Sequence, residues 1–494
     1  MDVRSLQRQL DELKEQLSNS IQHSASIEGS VDADAARFSE NSSSLNARLN
    51  VPRELGRAAT NLQNTHVHPL SPEGMLSNLQ REQPWAPSIL SPLRADGYSL
   101  GRVQKLNDND RMLSPEPTPK GRDIKVYGAT SLLYDHSSEA LLANSQSKEN
   151  EDDIRLKSAR QDRLIAYAAI SRQREITLHS MPSITANIDF DGVSVDMGMH
   201  LLELHWNRQH LSYLVTYRPA IMDSLVNNGP YVNKLLLNAI YLQSSLYSDR
   251  NSLLLDPRDP QTTGMVFYNR FKALLGGYVD KPTPPTVAAL LTCGACLVPH
   301  GKQSAGWLFC GMAYRMIIDL GYHLDIAKYP KAEVEFGLSV VDLEMRRRLY
   351  WGAYVCDKFQ CLFLGRPPAM DQLDSSLPCE YLDLYEEMEE WKPYMDPQVQ
   401  PFASDAPTYR GSPSYALSTF QCLLRLCMIA ARIIEAFYSI KSAKTPKEVL
   451  LQTRYEIREQ LEHWKLSLPP YLQFDPTKDY APPPHQITPQ LGLA

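Results

Sequence analysis

The chain of 494 residues has no cysteine before Cys293. Its eight cysteines, Cys293, Cys296, Cys310, Cys356, Cys361, Cys379, Cys422 and Cys427, all lie in the second half. That distribution excludes a short, dense disulfide framework and favours a reducing compartment. Positive charge is also scarce: 50 Lys and Arg stand against 57 Asp and Glu, a net charge of −7. Such a chain is not a general nucleic-acid binder, and any such contact would be local. No apolar run approaches the roughly 18–20 residues of a membrane helix. The opening MDVRSLQRQLDELKEQ is too charged for a signal peptide. No membrane partner is expected. H-E-x-x-H, G-x-S-x-G, a Walker P-loop and G-x-G-x-x-G are all missing, so no familiar catalytic signature marks an enzyme.

What is present is a helical chain with a polar front. Val3, Leu6, Leu10, Leu13 and Leu17 are spaced 3, 4, 3, 4, the a/d pattern of a two-stranded coiled coil over residues 1–21. These five residues are the candidate dimerisation seam. Residues 22–153 are rich in Ser, Asn, Asp and Pro and read as a disordered linker. Ser71, Ser91, Ser114 and Thr118 each precede a proline there and are candidates for proline-directed phosphorylation. From 154 to 485 helical periodicity dominates, over 154–175, 194–209, 230–248, 262–276, 284–298, 302–322, 338–364, 414–440 and 445–467. Gly and Pro punctuate these segments and no series of alternating strands appears. The fold class is therefore all-α: a large helical domain preceded by a disordered linker and a short N-terminal coiled coil.

Individual constellations point to packing. Cys293-Gly-Ala-Cys296 lies in an apolar run, and reads as small residues at a helix–helix contact, not as a redox pair. His200, His205 and His210 recur every five residues, which turns successive rings by about 140° on an α-helix and argues against shared ligation. In GWLFCGMAYRMIIDLGYHLD (306–325), Gly306, Gly311 and Ala313 would allow close helix approach. Met312, Met316, Ile317 and Leu320 supply apolar faces there, and Gly321 would cap the C-terminus. Arg315 among apolar neighbours calls for a buried carboxylate or carbonyl partner. YLDLYEEMEEW (381–391) alternates acidic and large apolar residues, as both activation segments and amphipathic surface helices do.

The stretch EMRRRLYWGAYVCDKFQCLFLGRPPAM (344–370) is the most informative. Residues 349–364 are apolar almost all round a helical wheel, so the helix should be buried, with Gly365 as its stop and Pro367-Pro368 preventing continuation. Glu344 can pair with Arg348 at i, i+4, while Arg346 and Arg347 should reach carboxylates on neighbouring helices. A groove-reading helix would be polar and exposed, which this one is not. Asp357, the lone acid in the apolar run, needs a fixed basic partner, with Arg315 or Arg366 the expectation.

E-x-RRRLYW…D…GRPPAM, preceded by SAGWLFCGMAYRMIIDLGYHLD, resembles the fungal-specific transcription factor domain, the middle homology region of binuclear zinc-cluster transcription factors. HLLELHWNRQHLSYLVTYRPAIMDSLVNNGPYVNKLLLNAIYLQSSLYS is similar to its nitrate-assimilation-regulator-like branch. The resemblance spans roughly 195–485 and gives structural roles to Arg315, Gly321, His323, Arg347, Arg348, Trp351, Asp357, Gly365, Arg366 and Pro367. It implies a regulator of transcription in a fungal nucleus. Implied partners are a second copy or a related factor as dimer partner, transcriptional coregulators and a small-molecule effector. The family's six-cysteine zinc cluster has no counterpart upstream of Cys293, so no cofactor is expected in this chain and DNA is reached through a partner. PPPHQITPQLGLA resembles an element after which the family continues, so a shortened C-terminal end is the expectation. The competing readings are an all-α enzyme and a scaffold without a transcriptional role.

Overall fold

The computed structural model describes residues 114–117, 124–127, 151–180, 187–328, 337–398, 411–440, 442–475 and 482–493, with residues 185 and 477. The helices are α1 (Glu151–Ser180), α2 (Val195–Leu204), α3 (Arg218–Asn227), α4 (Lys234–Ser245), α5 (Met265–Leu275) and α6 (Pro284–Leu297). They continue with α7 (Gln303–Asp319), α8 (Val340–Leu364), α9 (Ala416–Ile433), α10 (Lys447–Leu466) and α11 (Pro484–Leu493). The all-α class holds. Strands are confined to two short pairs among the described residues: β1 (Ser114–Pro117) with β2 (Ile124–Tyr127), and β3 (Glu390–Trp391) with β4 (Ser412–Pro413). The first pair falls inside the stretch read as a linker, where IKVY carries three β-favouring residues within a Ser/Pro-rich composition. The coiled-coil seam and the candidate phosphorylation sites Ser71, Ser91 and Thr118 lie outside the described residues. Ser114 opens β1, opposite Tyr127.

Three helices form the centre. In α4, Leu235, Leu236, Leu237, Ala239, Ile240, Tyr241 and Leu242 are all buried, so the helix is enclosed on every side. Its first turn is capped by Asn233, whose side chain accepts from the Leu236 amide at 2.8 Å. α6 starts on Pro284-Pro285, which cannot donate but suit a first helical turn, and packs on α4 and α7. α8 opens with a capping box between Ser339 and Asp342 and packs on α6, α7 and α9. Each large apolar side chain enclosed this way contributes about 1.5–3 kcal/mol.

Gly294 and Gly306 let α6 and α7 meet backbone to backbone. A Cβ on Gly294 would lie 2.9 Å from the Gly306 carbonyl oxygen, and one on Gly306 would lie 2.6 Å from that of Gly294. The C-x-x-C is thus a packing feature: Cys293 and Cys296 are buried and free. Gly311, expected to serve the same approach, faces open space. Gly321 has φ +63° beyond the end of α7, where its amide donates to Ile318 and the Tyr322 amide to Ile317, both at 2.9 Å. That Schellman pair ends the helix as expected.

One helical stretch, Ala416–Tyr438, is long and apolar enough to cross a membrane by length and composition, contrary to the reading that none comes close. It is a core element. Its buried side packs on α8, α10 and α11, and Trp464 of α10 donates from Nε1 to the Cys422 carbonyl at 2.8 Å.

Candidate functional site

The arginine run sits in the first third of α8 and is buried, with Arg346 4%, Arg347 5% and Arg348 0% exposed. Each guanidinium has its own solution. Arg346 donates to the carbonyls of Leu320 (3.3 Å) and Gly321 (2.5 Å), the end of α7, where the helix dipole favours positive charge. Its guanidinium also lies 4.6 Å from the Tyr322 ring centroid. The expectation of a carboxylate for Arg346 is therefore replaced by a helix C-terminus. Arg347 donates to the Glu380 carbonyl at 3.0 Å and lies 3.8 Å from Asp325. Arg348 pairs with Glu344 at 2.7 Å, as the i, i+4 spacing predicts, and with Glu386 at 2.7 Å. Tyr217 and Tyr381 lie 4.5 and 5.1 Å from it as aromatic neighbours.

Glu386 belongs to YLDLYEEMEEW, which is not the amphipathic surface helix that its composition allowed: its one helical turn, Tyr385–Met388, buries Glu386. Tyr381, Leu382, Asp383 and Glu386 are buried, and the segment crosses α8 as a strap. Its acids are partners for buried donors. Tyr217 donates to Asp383 at 2.8 Å, and Glu344 accepts from the Leu382 amide at 2.7 Å. Burial would raise the Glu386 carboxyl, but Arg348 and then His210 bring it down to about 2. Burial and the Glu386 charge push Asp383 up to about 7.

The histidines meet in a way their spacing did not suggest. α2 continues through a π-helical turn, His205–Gln209, into a last turn His210–Tyr213. In that turn the His210 amide donates to the His205 carbonyl, so five residues make one turn. His205 Nε2 and His210 Nδ1 therefore converge on Thr216 Oγ1, at 3.0 and 2.9 Å. His210 Nε2 reaches Glu386 at 3.2 Å. A continuous buried chain results: His205, Thr216, His210, Glu386, Arg348, Glu344. His200 stands apart, between Ser248 (2.7 Å) and Tyr394 (3.0 Å). Among the described residues no group of three His, Cys, Asp or Glu is arranged to hold a metal ion.

Asp357 does not meet Arg315 or Arg366. Arg315 is exposed on α7, because its position falls on the solvent side of the wheel, and Arg366 lies 5.2 Å from the Trp307 ring centroid. The cation for Asp357 is the adjacent Lys358, at 2.9 Å, and both are buried. Asp357 also accepts from the amides of Ala369 (3.1 Å) and Met370 (3.2 Å), and Lys358 donates to the Met370 carbonyl. The acid thus ties the GRPPAM return to the helix it leaves. Gly365 ends α8 with φ +63°, its amide on the Cys361 carbonyl, and Pro367 extends the exposed turn. Trp351 donates from Nε1 to the Pro378 carbonyl at 2.8 Å. His323 is 2% exposed with neither ring nitrogen hydrogen-bonded.

Burial, then Arg346, lowers the His323 pKa to about 4. Burial lowers His485 to about 4 as well. Their folded values lie below an unfolded value near 6.5, so the stability they carry is full above about pH 6.5 and lost progressively toward pH 4. Asp383, raised to about 7, works the other way and loses its contribution as pH rises through that value. Burial also lowers His205, His200 and His300, and these histidines together outnumber the raised acids Asp383 and Glu389, which gives a net loss of stability on acidification from pH 6.5 to 4. His323→Phe should flatten that fall by up to about 3 kcal/mol in urea titrations across this range, and an unchanged slope would refute the assignment.

Beside the network lies a cleft of about 370 Å³. Its inner wall carries Trp206, His210 and Arg218, and its outer wall is the strap from Glu386 to Met395. The strap is pinned by Asn207, which donates to the Lys392 carbonyl (2.5 Å) and accepts from the Trp391 indole (2.9 Å, at its backbone oxygen) and the Tyr394 amide (3.1 Å). Arg250 anchors the strap's far end through a bidentate pair with Asp396, at 2.7 and 2.8 Å. Glu386, Asp383, Thr216, Tyr217 and Lys358 are the residues that sequence reasoning passed over. The available signal was a buried-looking arginine with one local acid and a need for another.

The family described as "Fungal specific transcription factor domain" matches residues 202–466, more than half of the chain. The chain is similar to the nitrogen assimilation transcription factor nit-4 of Neurospora crassa, 24% identical over 76% of this chain and 34% of that protein. It is also similar to an uncharacterized transcriptional regulatory protein of Schizosaccharomyces pombe, 27% identical over 57% of this chain and 44% of that protein. The nitrogen assimilation transcription factor nirA of Emericella nidulans is 26% identical over 59% of this chain and 33% of its own length. The chain thus spans between 33% and 44% of the length of these relatives. No solved structure matches it significantly.

Proposed function

Since the chain belongs to the fungal specific transcription factor domain family, we propose that it is a regulatory and dimerisation module acting on transcription in a fungal nucleus. The observation that carries this reading is the extent of the match: 202–466 takes in the π turn, the arginine run, the strap and the helices that enclose them. Relatives named as transcription factors support a regulatory role over the enzyme reading. The reading concerns the helical domain that the family match covers, and it assigns regulation and dimerisation to that domain rather than DNA contact. The partners are a second copy or a related factor, together with coregulators and a small-molecule effector.

The test is a fusion of the full chain to a heterologous DNA-binding domain, read with a promoter carrying its sites. Reporter output several-fold above or below that of the DNA-binding domain alone is expected, with a nuclear partner recovered by crosslinking. Unchanged output with no nuclear partner would sink the proposal.

A further inference from the structure

Away from the charge network, a histidine meets a hydroxyl that solvent can reach. Ser248 follows α4, is half-buried, and its Oγ lies 2.7 Å from Nε2 of His200 on α2. His200 itself is 3% exposed. Its other ring nitrogen, Nδ1, faces the strap, with the Tyr394 hydroxyl at 3.0 Å and Asp396 Oδ2 at 3.6 Å. His205 and His210 also meet a hydroxyl, but theirs is Thr216, which is 0% exposed and out of reach of any reagent.

The surroundings decide which atom holds which proton. The Arg250 backbone amide donates to Ser248 Oγ at 3.3 Å, which leaves the serine its own hydrogen to donate to Nε2. The Asp396 carboxylate beside Nδ1 favours the imidazole proton on that side, where the Tyr394 oxygen can accept it. Arg250 fixes Asp396 in turn through its bidentate pair. A serine hydroxyl therefore points at an unprotonated ring nitrogen, with an acid held behind the ring. Burial and then Arg250 keep the His200 pKa below its ordinary value, so the resting ring is neutral and able to take a proton. The charges around it are Arg250, Asp396, Asp196 and Asp249, and three acids against one cation favour an imidazolium formed in passing.

We propose that Ser248 is a nucleophile that accepts an acyl group from small activated esters, with His200 as its general base and Asp396 and Tyr394 positioning the ring. Ser248 Oγ forms a bond to the acyl carbon while its proton passes to His200 Nε2. The ester C–O bond then breaks, the leaving oxygen takes that proton, and His200 returns neutral beside an acylated serine. The inference goes beyond the transcriptional reading and does not rest on it.

The full chain is treated with p-nitrophenyl acetate and, separately, with an alkyl fluorophosphonate, a reagent selective for base-activated serines. Adducts are read by intact mass and peptide mapping. A single adduct on Ser248 is expected from each reagent. Ser248→Ala should abolish it, and His200→Gln should slow it about a hundredfold or more, the usual loss when a general base is removed. If His200→Gln does not fold, the pH profile of the native protein decides. A base already neutral above about pH 6.5 gives a labelling rate that is level from there to about pH 8 and falls below it. Attack by a serine that loses its proton to solvent would instead climb about tenfold per pH unit over the same range. Labelling elsewhere with Ser248 untouched, an unchanged rate in folded His200→Gln, or that tenfold climb would each overturn the proposal. A silent reporter from the fusion bears on the transcriptional reading alone.

Discussion

Replacing Arg348 by methionine will lower the unfolding free energy by about 3–5 kcal/mol, because it strands two carboxylates in the interior. Glu344 and Arg348 are both 0% exposed, and Glu386 is 5% exposed. Burial opposes the Arg348 charge, yet Glu386 and Glu344 more than offset it and hold the guanidinium firmly protonated. Glu344 keeps its bond from the Leu382 amide and Glu386 keeps its contact with His210, but both lose the guanidinium they share. A Glu344→Leu/Arg348→Met/Glu386→Leu triple variant should recover most of the loss, since well-packed apolar residues can replace a buried ionic triad.

The pH dependence separates this account from simple loss of packing. In the native protein the Glu386 carboxyl sits at about 2, below an unfolded value near 4.3. Its contribution is therefore full above about pH 4.3 and lost as pH falls toward 2. Without Arg348, burial instead raises the stranded carboxyls, so the variant should gain stability relative to the native protein as pH falls from 7 to 5. Urea midpoints measured over that range decide the matter. Parallel curves for the two proteins would show that the charge pairing is not what Arg348 supplies.

Asp357→Ala should cost a similar amount, about 3–5 kcal/mol, and should be accompanied by local release of the turn after α8. The change leaves Lys358, 2% exposed, without its carboxylate and takes the acceptor from the amides of Ala369 and Met370. Asp357→Asn keeps an acceptor and loses only the charge, so it should fall between. Asp357→Asn/Lys358→Met should restore much of the stability. Cys361 reports the release directly. Burial, then the Asp357 charge, pushes its thiol up to about 12, and its Sγ lies 3.7 Å from the Asp357 carboxylate. Alkylation of Cys361 in the native protein should be slow and should accelerate in Asp357→Ala. Unchanged thermal stability with unchanged Cys361 labelling would remove the anchoring role.

The helices were legible because their burial follows a local period. Each of the periodic segments between 154 and 467 contains a helix, and Gly321 and Gly365 end theirs by local geometry alone. α3 escaped notice because Pro219, Ala220, Ile221, Met222 and Leu225 bury more than one face and leave little contrast to read. The strap was harder still. Alternating acids and apolar residues are compositional, and Glu386 is buried only because Arg348, 38 residues earlier, needs it. Asp357 illustrates the opposite failure: its cation is the adjacent residue, and neighbours on a helix do not usually face each other. Here Lys358 folds back because the return chain offers it the Met370 carbonyl.

The π turn His205–Gln209 is a matter of chain length as much as of chemistry. It holds one residue more than an α-helical turn would, and that surplus is what swings His210 onto Thr216 and Glu386. Removing a single residue from it would return the segment to α-helical register with the two histidines at i, i+4, still on one face. The connection from α2 to the strap thus depends on a match between turn type and residue count: five residues on an α-helical turn would part the two rings by about 140°.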